Sequence, residues 1–287
     1  MTGAPLLEVS GLRVEYRTPG WRTPPVVTVD DVSFAIGAGE TMALVGESGS
    51  GKSTIARAVL GLVRPAAGKV MFDGRDVTHA GHRERRALAR DISVVFQDPY
   101  SSLNPALTVG ATLREPLQVH GYSRDEADAT VRDRLTRVGL PADAMGRYPR
   151  QFSGGQRQRI PIARALTLTP RLLVCDEPVS ALDLSIQAQV INLLKDLQRE
   201  LSLAMLFVSH DLSVVRHVAD TTTVLRRGRV VETGPTAEVH REPRHPYTVA
   251  LLAAVPVPDP DEQARRRERR RAAAAALAEH DGLGPAG

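Results

Sequence analysis

The sequence predicts an α/β protein: a largely parallel sheet, an antiparallel β portion at the start of the chain, and an α-helical insertion between two halves of the sheet. Apolar runs at 42–45, 172–175 and 203–208, and one interrupted by Ser93 at 92–96, read as buried strands, and helical patterns at 55–60 and 186–201 alternate with them. Residues 7–16 and 27–34 instead alternate apolar and polar positions around a Pro- and Gly-containing loop at 17–25, which indicates antiparallel strands. No strand pattern interrupts residues 98–150, where turn formers at 98–105 give way to helical periodicity at 127–138.

The remaining elements follow in order. Gly61 and Pro65 stop the first helix, and the run 70–72 enters an Asp73-Gly74 hairpin turn. Arginine-rich residues 82–90 read as a short surface helix, the strand at 92–96 ends at Gln97, and Arg227-Gly228 closes a last hairpin. Beyond Pro243 the chain is Pro-rich and then runs into Arg, Ala, Gly and Pro, a frayed end.

Whole-chain properties exclude several classes. The 287 residues are 42% hydrophobic, enough for a substantial core. No run of 18 apolar residues exists and the first residues lack a charged start before an apolar stretch, so neither a membrane span nor a secretory leader is expected. Cys175 is the only cysteine, which rules out an internal disulfide and suits a reducing cytoplasm. A net charge of +4 is spread over many segments, and with 4% aromatics there is little on which to stack bases, so no nucleic-acid partner is expected.

The stretch Gly46-Glu47-Ser48-Gly49-Ser50-Gly51-Lys52-Ser53-Thr54 fits the phosphate-loop pattern and lies between a buried strand and a helix, as that motif requires. Its glycines let successive amides converge on one oxyanion at the positive end of the helix. Lys52 supplies a point charge and the Ser53 hydroxyl a magnesium ligand.

Asp176 and Glu177 follow the strand at 172–175, at the carboxyl end where open α/β sheets bind ligands. Asp176 suits magnesium and Glu177 suits polarising the water that attacks a γ-phosphate. Gln97 and His210 also follow apolar strands; each reads either as a polar strand end or as a contact to metal, water or phosphate. Tyr16 reads as edge packing or as a platform for an adenine ring. Ser153-Gly154-Gly155-Gln156 opens a helix with a good N-cap, a second anion site. One nucleotide does not need two, so this one is expected to complete the site of another subunit.

Taken together, Gly46 to Thr54, Gln97, Ser153 to Gln156, residues 172–177, Ser180-Ala181-Leu182-Asp183 and His210 resemble the ATP-binding cassette of ABC transporters, over about residues 6–245. Asp98-Pro99-Tyr100-Ser101-Ser102-Leu103-Asn104-Pro105, residues 178–189, His245-Pro246-Tyr247-Thr248 and residues 255–260 narrow the resemblance to the F-type ATPase subunit of oligopeptide and dipeptide importers.

The resemblance implies a RecA-like P-loop NTPase core at 1–97 and 171–235, including the antiparallel β subdomain, a helical signature subdomain at 98–170 and a C-terminal extension at 236–287. It implies ATP and magnesium as cofactors, with Ser53, Gln97 and Asp176 at the metal, Tyr16 on the adenine, Glu177 as general base, and His210 and Gln97 beside the γ-phosphate. It implies transmembrane permease subunits, a second ATPase subunit in a heterodimer, an extracytoplasmic substrate-binding protein acting indirectly, and a peripheral position on the cytoplasmic membrane face.

Related subunits serve nickel or glutathione import, and soluble ABC-type ATPases act on DNA or ribosomes. The 55 residues between Gln97 and Ser153 are too few for the long coiled coil of the soluble DNA-repair class. An intact Glu177 argues against a scaffold without turnover. Three departures stand out: Phe152 before the serine, a tail without cysteine, and Pro161, which is expected to kink the signature helix or shift its start.

Overall fold

The computed structural model describes residues 4–17, 24–97, 103–180, 182–254 and, within 265–277, residues 265, 268, 270–273, 275 and 277. The chain forms two compact units, Met1–His79 with Phe207–Gly287, and Ala80–Leu206.

In the first unit, β1 (Leu7–Tyr16) pairs antiparallel with β2 (Val26–Ile36) and with β4 (Ala67–Phe72). Leu7, Val9, Leu12 and Val14 are buried from β1, and the alternation slips by one residue between Val9 and Leu12, where Gly11 sits at a φ of 58° and the pairing with β2 shifts register. The short β5 (Arg75–Asp76) returns along β4 through Asp73 and Gly74, both at positive φ (50° and 74°), so the Asp-Gly pair forms the tight hairpin turn its sequence signals.

β3 (Thr41–Val45) is buried at every position and runs parallel to β9 (Thr221–Arg226), which pairs antiparallel with β10 (Arg229–Pro235). Strand order here is β10-β9-β3, with the end of β8 (Ala204–Ser209) on the far side of β3. Helix α1 (Lys52–Val59) follows β3. Farther along the chain, α7 (Leu212–Val218), α8 (Thr236–Arg241) and α9 (Pro246–Ala253) complete the unit.

In the second unit, α2 (His82–Leu88) leads into β6 (Ile92–Val95), which pairs parallel with β7 (Leu172–Asp176), and the start of β8 lies beyond β7. Between β6 and β7 come α3 (Val109–Val119), α4 (Arg124–Arg137), two 3-10 turns at Ala142–Gly146 and Pro149–Gln151, and α5 (Gly154–Ala165); α6 (Leu184–Leu201) follows β7. Leu113 and Leu117 of α3, Val131 and Leu135 of α4, and Ile160 and Ile162 of α5 are all buried in this unit.

One boundary moves and another holds, each for an identifiable reason. Helix α4 starts at Arg124 rather than 127 because Ser123 caps it. The Ser123 hydroxyl accepts from the Glu126 amide (3.3 Å) and the Glu126 carboxylate accepts from the Ser123 amide (2.8 Å). Helix α5 runs unbroken through Pro161, so the expected shift of its start does not occur; Ser153 sets that start, with its own box to Gln156. Most of the turn formers at 98–105 lie outside the described residues, as does the Pro-rich segment at 255–260. Among the described residues, no helix is long and apolar enough to cross a membrane.

A charge cluster ties β1 and β2 to the β9–β10 hairpin. Asp30 accepts from Arg229 Nε (3.1 Å) and from Arg13 Nη1 (2.7 Å), and the bond to Arg229, with help from Arg13, holds its carboxyl below the ordinary range. That stabilisation is complete above the unfolded carboxyl's pKa of about 3.9 and is lost as pH falls through the lower folded value. Asp30→Asn is therefore expected to lower the melting temperature at pH 7, and the gap to wild type should close as thermal scans approach about pH 2.

Candidate functional site

In the first unit the phosphate loop leaves β3 at Gly46, whose φ of 156° fits glycine. A Cβ at Gly46 would lie 2.3 Å from the Leu225 carbonyl oxygen and 2.7 Å from Ser50 Oγ, so β9 and the loop close on each other only because that atom is missing. The loop then folds over itself. Ser50 N–H donates to the Glu47 carbonyl (3.2 Å), and Lys52 Nζ donates to the carbonyls of Gly46 and Glu47 (2.8 Å each). From outside, Gly228 N–H donates to the Ser50 carbonyl (3.0 Å), and Glu47 N–H donates to Tyr247 Oη (3.0 Å).

The loop fits a polyphosphate on its own chemistry. Gly51 is the N-cap of α1 and provides no side-chain cap, and the first turn holds no acidic residue. The helix therefore presents N–H groups and positive potential with no internal acceptor side chain. Ser50 Oγ is buried without a hydrogen-bond partner, and Lys52 is buried alongside. Ser53 and Thr54 follow in the first turn, with Ser53 half-buried. Ser48 and Gly49 are exposed on the loop crest. Tyr16 ends β1 with 40% of its surface exposed, and His210 is exposed immediately after β8.

In the second unit the buried strand β7 delivers two different carboxylates. Asp176 ends the strand at 7% exposure, whereas Glu177 is half-buried and has a φ of 49°. A left-handed conformation at a glutamate costs about 1 kcal/mol or more and persists only where the surroundings impose it. Here the Glu177 carbonyl accepts from the Ser180 amide (3.3 Å) and hydroxyl (3.2 Å), which closes a tight turn. The side chain accepts from Gln97 Nε2 (3.2 Å), so the tips of β6 and β7 meet at this carboxylate. Next door, burial pushes the Cys175 thiol up to about 12, leaving it a neutral packing group.

The α5 N-terminus lies in the same unit, with Ser153, Gly154 and Gln156 exposed and Gly155 packed against Ile186 of α6. Gln158, to which the sequence pattern assigns no role, ties the helix to the strand tip: it is fully buried and donates from Nε2 to the Pro178 carbonyl (2.5 Å). Gln187 similarly donates to the carbonyls of Val179 (3.0 Å) and Leu182 (3.1 Å), and Asp183 caps α6 through the Ile186 amide (3.0 Å), which lowers its pKa. Ala181 lies outside the described residues. Of the predicted residues, the structure brings together Gly46 to Thr54 in one unit, and Gln97 with Glu177 in the other. Tyr247 belongs to the His245-Pro246-Tyr247-Thr248 motif, but its bond to the loop has no local sequence signal.

A glycine loop between a buried parallel strand and an uncapped helix defines a mononucleotide-binding α/β cassette. Residues 29–180 match the ABC transporter family, and residues 231–284 match the C-terminal region of oligopeptide/dipeptide transporters. The oligopeptide transport ATP-binding protein OppF of Escherichia coli is 48% identical over 260 residues, covering 88% of this chain and 78% of that protein. Among solved structures, cbiO1 from Clostridium perfringens, part of the ABC transporter complex cbiONQ, matches with a TM-score of 0.74 at 27% identity over 86% of this chain and 95% of the other. The ATP-binding cassette MJ0796, dimeric in a post-hydrolysis state bound to ADP and Pi, matches with a TM-score of 0.71 at 29% identity over 80% and 98%. The chain belongs to the ABC transporter family and is one of its cassette ATPases.

The packing at Gly46 makes a direct test. Gly46→Ala is expected to weaken ATP binding at least about tenfold and to lower the melting temperature by about 5 °C, because the added carbon meets backbone on β9. Equilibrium nucleotide titration and thermal scans of the same preparation check both parts.

Proposed function

We propose that this chain is the ATP-hydrolysing subunit of a peptide importer, bound at the cytoplasmic membrane face to transmembrane permease subunits and paired with a second, related ATPase. The observation that carries the hydrolytic reading is the strand tip of β7. A buried Asp176 is followed by Glu177, whose carboxylate is held by Gln97 and whose backbone is in a conformation that only a constrained turn maintains. The importer reading is supported by the match of residues 231–284 and by the oligopeptide transport relative.

In this reading the residues divide the work as follows. Tyr16 stacks on the adenine, the loop from Gly46 to Thr54 binds the phosphates, and Lys52 places its charge beside the outer two. Magnesium, when bound, offsets the charge that builds on the transferred phosphoryl group, and Ser53, Gln97 and Asp176 are the residues that would hold it. Glu177 takes the proton from the attacking water, Gln97 orients that carboxylate, and His210 hydrogen-bonds the γ-phosphate. Ser153, Gly154, Gly155 and Gln156 serve the partner's nucleotide, so closure of the pair is what assembles each site and hydrolysis is what releases it. An extracytoplasmic binding protein acts on this chain only through the permease.

Glu177→Gln is expected to cut steady-state hydrolysis by about 100-fold or more while leaving ATP affinity within about twofold. An unchanged rate would assign the proton transfer elsewhere. Ser153→Arg should leave ATP binding by the isolated chain intact and abolish turnover of the assembled complex; full turnover by a strictly monomeric preparation would refute the shared site. Uptake of labelled peptides, nickel and glutathione by the reconstituted complex distinguishes the substrate classes.

A further inference from the structure

The peptide group between Gly46 and Glu47 is held at both ends. Its carbonyl oxygen, on Gly46, accepts from Lys52 Nζ (2.8 Å), and its N–H, on Glu47, donates to Tyr247 Oη (3.0 Å). The first contact lies within the motif; the second comes from α9, 200 residues later in the chain. We propose that Tyr247 is a positioning residue for the nucleotide, fixing the plane of the 46–47 peptide and thereby the orientation of the loop and of Lys52. The proposal rests on the reading of the loop as the ATP site and adds a residue from the C-terminal segment to it.

The surroundings of Tyr247 hold it for that role. The ring is 5% exposed and the Arg226 guanidinium lies 5.6 Å from its centroid, within cation–π range. The start of α9 is fixed by Glu232 on β10, whose carboxylate accepts from the Arg244 amide (2.9 Å) and the His245 amide (3.0 Å), and His245 Nδ1 caps the helix through the Tyr247 amide (3.1 Å). Burial raises the phenol's pKa, so the hydroxyl stays neutral across the physiological range. A neutral oxygen accepting the Glu47 amide costs the phosphates nothing electrostatically, whereas a carboxylate in its place would repel them. The bond also takes the Glu47 amide out of the set that can face an anion, leaving that task to later amides of the loop.

Tyr247→Phe removes one oxygen and keeps the ring, its burial and the Arg226 contact. Two measurements on the full chain test the proposal. In nucleotide-free protein, hydrogen exchange at residues 46–50 should speed up by about threefold or more in the variant. In equilibrium titration with Mg-ATP, the dissociation constant should rise by about 3- to 10-fold, and KM with it, while kcat at saturating ATP stays within about twofold. Thr248→Val is the control: Thr248 is fully buried on the same helix, and its hydroxyl has no partner to lose. Wild-type exchange and affinity in Tyr247→Phe, or equal effects from Thr248→Val, would overturn the positioning role. Failure of the wild-type chain itself to bind Mg-ATP would instead overturn the assignment of the loop, a result the variant comparison keeps separate.

Discussion

Backbone amides that bind a polyanion cannot also be spent on a helix or sheet, and so a phosphate loop lacks the hydrogen bonds that normally keep a chain still. The first unit answers that constraint from outside the loop. The Leu225 carbonyl of β9 fills the space beside Gly46, the hairpin after it donates from Gly228 to the Ser50 carbonyl, and the Gly228 carbonyl accepts in turn from Asp30 on β2. Asp30 binds Arg13 and Arg229, which closes the chain of contacts back onto β1 and β10. The antiparallel strands thus act on the loop through the backbone they lend it, in addition to burying apolar surface.

The second unit faces a different demand, holding two adjacent carboxylates in place at one strand tip. It does so with amide side chains. Gln97 donates to Glu177, Gln158 to the Pro178 carbonyl, and Gln187 to the carbonyls of Val179 and Leu182. An amide fixes geometry through hydrogen bonds without bringing a formal charge to the strand tip. The positive φ at Glu177 is the backbone side of the same arrangement.

Much of this was legible in the sequence because it depends on local pattern. The buried strands, the Asp73-Gly74 hairpin, the loop from Gly46 to Thr54 and the Ser153 cap each follow from adjacent residues. Helix α3 was not expected, since Gly110 and Pro116 interrupt its pattern, and it forms because Leu113 and Leu117 bury themselves in the second unit while Thr108 caps its first turn. Pro161 does not set the start of its helix: Ser153 caps that start, and the helix continues past the proline with Ile160 and Ile162 buried on either side. Tyr247 and Gln158 were invisible as working residues because each acts on carbonyls or amides far away in the chain, and no spacing rule reports a contact of that kind.

The sole cysteine also gives the molecule a built-in clock. Cys175 is the next-to-last residue of β7, fully buried and with its thiolate strongly disfavoured, so alkylating reagents meet it only when that strand is exposed. Its labelling rate therefore reports how often the strand bearing Asp176 and Glu177 comes apart, without any engineered probe. Whatever slows that rate, whether nucleotide, partner or permease, has tightened the strand on which both carboxylates stand.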